Sequence, residues 1–88
     1  MEDIKCYSEI FKALGHPTRL AIVKGLIDNK ECNVNKMVEK LRVSQSTVSQ
    51  HLALLRRANI VVCEKRGLEV CYKVENEKII KIIQIISL

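Results

Sequence analysis

At Ile60 the hydrophobic period of this chain changes, and that change restricts its fold more than any other feature. Upstream, apolar residues recur every three or four positions, as an amphipathic helix requires; downstream, "IVVCEKRGLEVCYKV" offers two β-rich runs flanking Arg66-Gly67. The glycine supplies cheaply the positive backbone angle that a tight hairpin turn needs, and the tip is basic. Helical spacing returns in "NEKIIKIIQIISL", where Ile pairs repeat every three residues. The order is therefore helices, one hairpin, then a last helix: a mostly α chain with a small β-hairpin.

The upstream helices have readable boundaries. Ile4, Tyr7, Ile10, Phe11 and Leu14 define a first helix, α1, over about residues 3–14, stopped by Gly15 and Pro17. Pro17 opens α2, which runs to about residue 30 with Leu20, Val23 and Ile27 on one broad stripe. An Asn cap precedes α3, about 34–41, marked by Val34, Met37, Val38 and Leu41. "RVS" is the turn, Ser44 caps α4, and α4 continues to about Ala58. The hairpin strands β1 and β2 occupy about 60–74, and α5 about 77–87. We find no repeat, linker or low-complexity tract, so residues 1–88 are read as a single domain.

A domain of 88 residues leaves much of its surface uncovered, which favours self-association. Aromatics are scarce, so the core is built from Ile, Leu and Val. The formal charge of +5 favours a polyanionic partner, nucleic acid before membrane. There is no signal-like N-terminus and no run of 18 apolar residues, which reads as a cytoplasmic protein with no membrane partner. Cys6, Cys32, Cys63 and Cys71 include no CxxC or CxC pair, so the strongest zinc-ligand spacings are missing.

The helix "QSTVSQHLALLRR" carries the most functional information. At about 100° per residue, Val48, Leu52 and Leu55 converge on one side and face the core. Ser46, Gln50, Ala53 and Arg57 cluster opposite, flanked by Thr47 and Ser49. A face selected only for solvent would carry Glu and Lys, which are better helix formers and make favourable spaced pairs. Hydroxyls and amides that both donate and accept, beside an alanine that permits close approach, suit base edges in a DNA major groove. With α3 packed across α4 through a short turn, this is a helix-turn-helix over about 34–58. Arg56, Arg57, Lys65, Arg66 and Lys73 add positive charge where phosphates would lie.

On "HPTRLAIVKGL", "VEKLRVSQSTVSQHLALLRRANIV" and "KRGLEVCYKV", the chain resembles the ArsR/SmtB family of winged-helix repressors over about residues 8–80. The resemblance implies a winged helix-turn-helix of order α1-α2-α3-α4-β1-β2-α5, homodimeric through α1 and α5. It also implies repression at an operator of dyad symmetry in double-stranded DNA, released by an inducer. Carried onto this sequence, the base-reading positions are Gln45, Ser46, Ser49 and Gln50, with Lys65 and Arg66 at the wing tip; many members have His where this chain has Gln50. The isoleucines of α5 agree with dimerisation, since they present more apolar surface than one side of a terminal helix can bury.

The family's usual sensor sites are broken here. Its box Glu-Leu-Cys-Val-Cys-Asp-Leu aligns with "ECNVNKM", where Asn33 and Asn35 replace both cysteines. The last helix has no His, Asp or Cys, and α2 carries Lys24 where thiol-sensing members have cysteine. Cys6 and Cys32 remain as a metal or redox pair, able to hold a thiophilic ion such as As(III) or to form a disulfide; inert packing is the other reading. No cofactor is required. Cys63 and Cys71 are read as packing residues of the wing. A two-residue turn at Arg66-Gly67 pairs Cys63 with Val70 and Cys71 with Val62, on opposite faces, whereas a turn one residue longer brings them together. His16, His51 and Tyr72 are read as structural.

Two other readings compete: a winged-helix regulator without a sensing role or protein-interaction module with structural cysteines, and a thiol enzyme. A protein-binding face would carry aromatic or aliphatic anchors where α4 has Ser and Gln. The enzyme lacks a Cys-His-acid constellation.

Overall fold

The computed structural model describes residues 2–29 and 34–87. The elements follow one another as α1 (Glu2–Leu14), α2 (Pro17–Asn29), α3 (Val34–Leu41), α4 (Gln45–Arg57), β1 (Val62–Arg66), β2 (Glu69–Lys73) and α5 (Glu77–Ile86). This is the expected winged helix-turn-helix. The Asn cap read for α3 and the Cys32 site lie outside the described residues.

The core sits where the helices converge. Ile22, Val23 and Leu26 of α2 meet Val48, Leu52 and Leu55 of α4, Ile60 and Val61 of the following turn, and Ile79 and Ile83 of α5. Each is at most 5% exposed. Burying a side chain of this size contributes about 1.5–3 kcal/mol, so the core face of α4 anchors that helix strongly. Leu20 and Ile27, read from sequence as stripe residues of α2, pack at the edge of this cluster.

Both ends of α4 are closed by local chemistry. Ser44 is extended at φ −67°, ψ 154°, and its Oγ accepts from the Thr47 amide at 3.2 Å. Its hydroxyl also donates to Thr47 Oγ1 at 2.8 Å. At the other end the Asn59 amide donates to Arg56 O at 3.0 Å and the Ile60 amide to Leu55 O at 3.0 Å, while Asn59 takes a left-handed φ of 60°. That pair of bonds is a Schellman closure, with Asn in the place glycine usually takes. The closure also drives Ile60 into the core and launches β1.

The hairpin corrects one expectation. Its turn is Gly67-Leu68 and not Arg66-Gly67, because Arg66 pairs with Glu69. Gly67 has φ 63°, and no other described residue of the turn is left-handed. A turn centred on Arg66-Gly67 would have asked arginine to adopt the positive angle at the first central position, which glycine takes without a steric penalty. The register therefore moves by two residues: Cys63 faces Tyr72, and Cys71 faces Glu64. A two-residue shift preserves the faces, so the two cysteines point to opposite sides, as the shorter-turn reading expected.

Candidate nucleic-acid interface

The outward surface of α4 is built by subtraction. Once Val48, Leu52 and Leu55 are buried, helix geometry leaves Gln45, Ser46, Ser49, Gln50, Ala53 and Arg57 exposed, with no carboxylate anywhere on the helix. Thr47 differs from its neighbours: it is half-buried and its hydroxyl is engaged by the Ser44 cap. Ser46 also lies within reach of that cap, with its Oγ 3.2 Å from Ser44 Oγ. Gln50 makes no side-chain hydrogen bond within the described residues, so its amide is available to donate and accept at once. Arg56 and Arg57 close the last turn, where cations also suit the negative end of the helix dipole.

On the hairpin, sequence reasoning overcounted the available charge. Glu64 on β1 lies 3.5 Å from Arg66 Nη2 and 3.3 Å from Lys73 Nζ, and Lys73 also reaches Glu75 Oε1 at 3.1 Å. Hydrogen bonding and attraction from Lys73, with a smaller effect from Arg66, hold the Glu64 carboxyl below its usual range. Glu75 and Glu64 push the Lys73 ammonium up. The base of the wing is thus internally neutralised. Lys65 points to the opposite face of the ribbon and has no ion pair among the described residues. The offsetting role of Glu64 was within reach of the sequence only once the register was known.

The described cysteines differ in exposure. Cys6 is an exposed free thiol on α1, and Cys63 is a half-buried free thiol beside Tyr72. Desolvation, with a contribution from the neighbouring Cys63, pushes the Tyr72 hydroxyl up. Cys71 is buried at 5% exposure, as the packing reading expected. Cys32 is not among the described residues, and the Cys6/Cys32 pairing therefore stays an expectation. Among the described residues no group of three or more His, Cys, Asp or Glu side chains is placed to hold a metal ion.

His16 caps α2, with its Nδ1 accepting from the Thr18 amide at 3.1 Å, and its ring lies 4.7 Å from that of His51 at a 45° tilt. The structural reading of both rings leaves out their neighbour Arg19, which sequence reasoning missed. Its Nε donates to Ala13 O at 2.6 Å, and its Nη1 approaches His51 Nδ1 at 3.3 Å. Nothing in helical periodicity signals such a bridge, because its partners come from three helices.

Comparison with known proteins agrees with this geometry. Residues 16–62, from the α2 cap through the start of the hairpin, match the bacterial regulatory protein, arsR family. The chain is 38% identical over 87 residues to the HTH-type transcriptional regulator MJ1325 of Methanocaldococcus jannaschii, covering 99% of this chain and 98% of that protein. It is also 38% identical over 80 residues to the transcriptional repressor PagR of Bacillus anthracis, covering 91% and 80%. The crystal structure of PagR superimposes with a TM-score of 0.88 at 35% identity, covering 97% of each chain. HlyU of Vibrio cholerae gives a TM-score of 0.87 at 32% identity, covering 96% of this chain and 90% of that one. Among the described residues no helix is long and apolar enough to cross a membrane. A winged helix-turn-helix with its second helix presenting a polar face without carboxylates, matched in sequence and in fold by these regulators, makes this chain a DNA-binding transcription regulator of the ArsR family.

Proposed function

We propose that this protein is a homodimeric repressor that reads an operator of dyad symmetry in double-stranded DNA. The observation that carries this reading is the outward face of α4, polar and without carboxylate, on a helix held by its opposite side in the core. In the proposed complex Gln45, Ser46, Ser49 and Gln50 meet base edges, with Thr47 supporting the first turn from the Ser44 cap. Arg57 and the wing residues Lys65 and Arg66 meet phosphates. The repressor role is supported by PagR and by SmtB of Mycobacterium tuberculosis, both named as transcriptional repressors; HlyU is named an activator, so the direction of control needs its own measurement.

The dimer is supported by apolar surface that one protomer leaves open. Ile4, Tyr7 and Phe11 on α1 and Ile85 and Ile86 on α5 are each 46% exposed or more. Ile79 and Ile83 of the same α5 are already spent on the protomer's own core. The two helices are neighbours, since Lys78 Nζ stands 5.7 Å from the centre of the Tyr7 ring. Burying these side chains against a second copy would remove apolar surface from water.

Release by an inducer belongs to the same proposal, with a thiophilic metal or metalloid ion, a thiol oxidant or a persulfide donor acting through Cys32 together with Cys6. A regulator without a sensing role is the alternative.

The test begins with selecting a duplex from a random-sequence pool. Repression predicts a selected palindrome, tight binding relative to a scrambled duplex, and lowered reporter expression from a promoter carrying that palindrome. Phe11→Asp should halve the sedimenting mass and weaken binding to the palindrome. A protein that selects no sequence, or that raises reporter expression, overturns the reading. Treating the complex with As(III), peroxide or a persulfide donor, with Cys6→Ser and Cys32→Ser as controls, identifies the signal; release that both variants retain excludes these thiols.

A further inference from the structure

Arg19 stands where three helices meet, and its contacts differ in kind from the rest of the interior. The core grips α4 through Val48, Leu52 and Leu55, an apolar contact that resists separation but has little directional preference. Arg19 adds direction. Its Nε is fixed on the carbonyl of Ala13 near the end of α1 at 2.6 Å, and its Nη1 reaches Nδ1 of His51 on α4 at 3.3 Å. A guanidinium only donates, so His51 must accept at Nδ1 and keep its proton on Nε2. His51 is the residue after Gln50, on the flank between the core face and the outward face.

We propose that Arg19 is a positioning residue for sequence-selective DNA binding: by tying the end of α1 to His51, it sets how α4 and its Gln50 are presented to the groove. The proposal rests on the DNA-reading role of α4. A bidentate contact to a base tolerates displacement of only about 0.5 Å, so a lost brace lowers selectivity before it lowers general attraction to DNA. The brace also depends on protonation. Protonated His51 has no acceptor for Arg19 and places a cation beside another. Burial, then His16, then Arg19 hold the His51 imidazole below its ordinary value, so the neutral, accepting form prevails at neutral pH. The other charged groups around the bridge are Glu9 and Lys12 of α1 and Arg57 of α4, which line a groove with Arg19.

The same arginine has a rival use, as a phosphate contact beside Lys12 and Arg57. Titrations on the selected duplex and its scrambled counterpart at several salt concentrations separate the two. If Arg19 positions α4, Arg19→Gln loses about tenfold on the selected duplex, changes little on the scrambled one, and leaves the salt slope unaltered. Arg19→Lys keeps the charge but cannot bridge both acceptors, so it should lose as much. His51→Gln keeps an acceptor and should retain selectivity. Wild-type selectivity should fall as pH drops through the lowered His51 value, below the ordinary imidazole range, while His51→Gln flattens that profile. Equal losses on both duplexes with a shallower salt slope would identify a phosphate contact and overturn the proposal. So would a lowered melting temperature with unchanged selectivity. If the wild-type protein shows no preference for any duplex, the DNA-reading role fails first, and that failure is distinct from either result.

Discussion

The two regions offered to DNA, α4 and the hairpin, are built on opposite principles. Helix α4 is capped at both ends by its own chain, buries three large side chains, and leaves an outward face with no ion pair among the described residues. The hairpin buries only Cys71, exposes Leu68 completely at its turn, and gathers Arg66, Lys73 and Glu64 into one ion-paired group. Hydrogen-bond readout needs atoms held to a fraction of an ångström, which packing supplies. Attraction to phosphate acts over about 8 Å at physiological salt and tolerates a mobile carrier. The contrast assigns selectivity to the helix and general affinity to the wing.

The largest expected effect attacks the anchorage of α4. Leu52→Ala, at a site 1% exposed, should cost about 2–5 kcal/mol in urea unfolding and remove binding to every duplex. The same truncation at Leu68 should stay within about 0.5 kcal/mol, and a comparable loss there would erase the distinction between the regions. Next in size, Gln50→Ala should weaken the selected duplex by about 1–3 kcal/mol and leave the scrambled duplex nearly unchanged; equal losses on both would remove its base-reading role. Ser44→Ala takes away the cap of α4 and should lower stability by about 1 kcal/mol, read from the denaturation midpoint.

The smaller effects sharpen the electrostatic half of the comparison. Lys65→Ala should weaken both duplexes alike and reduce the salt slope by about 1. Glu64→Gln should do the opposite, tightening binding to both duplexes and steepening the salt dependence, because Arg66 loses its internal partner and Lys73 keeps only Glu75. A change in Glu64→Gln confined to the selected duplex would show that the wing reads sequence. The pH dependence of folding carries its own sign. His51 is held below its unfolded value, so its contribution is complete above about pH 6.5 and is lost as pH falls from there through the folded value. Comparing melting curves of wild type and His51→Gln across that range measures it.

Much of α4 was legible because its determinants are local. The Ser44 cap, the burial of Val48, Leu52 and Leu55, and the carboxylate-free outward face all follow from 3.6-residue periodicity and from the chemistry of neighbouring residues. The hairpin was legible as a hairpin, but not in its register. Periodicity in a strand has a period of two, so pairings two residues apart satisfy it equally, and only the backbone angle of Gly67 decided between them. The same ambiguity hid the pairing of Glu64 with Lys73.

The amino-acid sequence by itself determined the succession of helices and strands, the side of each helix that turns inward, and the residues left for a polyanion, since these depend on neighbours a few positions apart. Tertiary structure alone decided which cations are paired, and that Arg19 of α2 joins α1 to His51 of α4. Those outcomes require groups distant in the chain to meet within about 3 Å, and that distance is set by the packing of whole elements against one core.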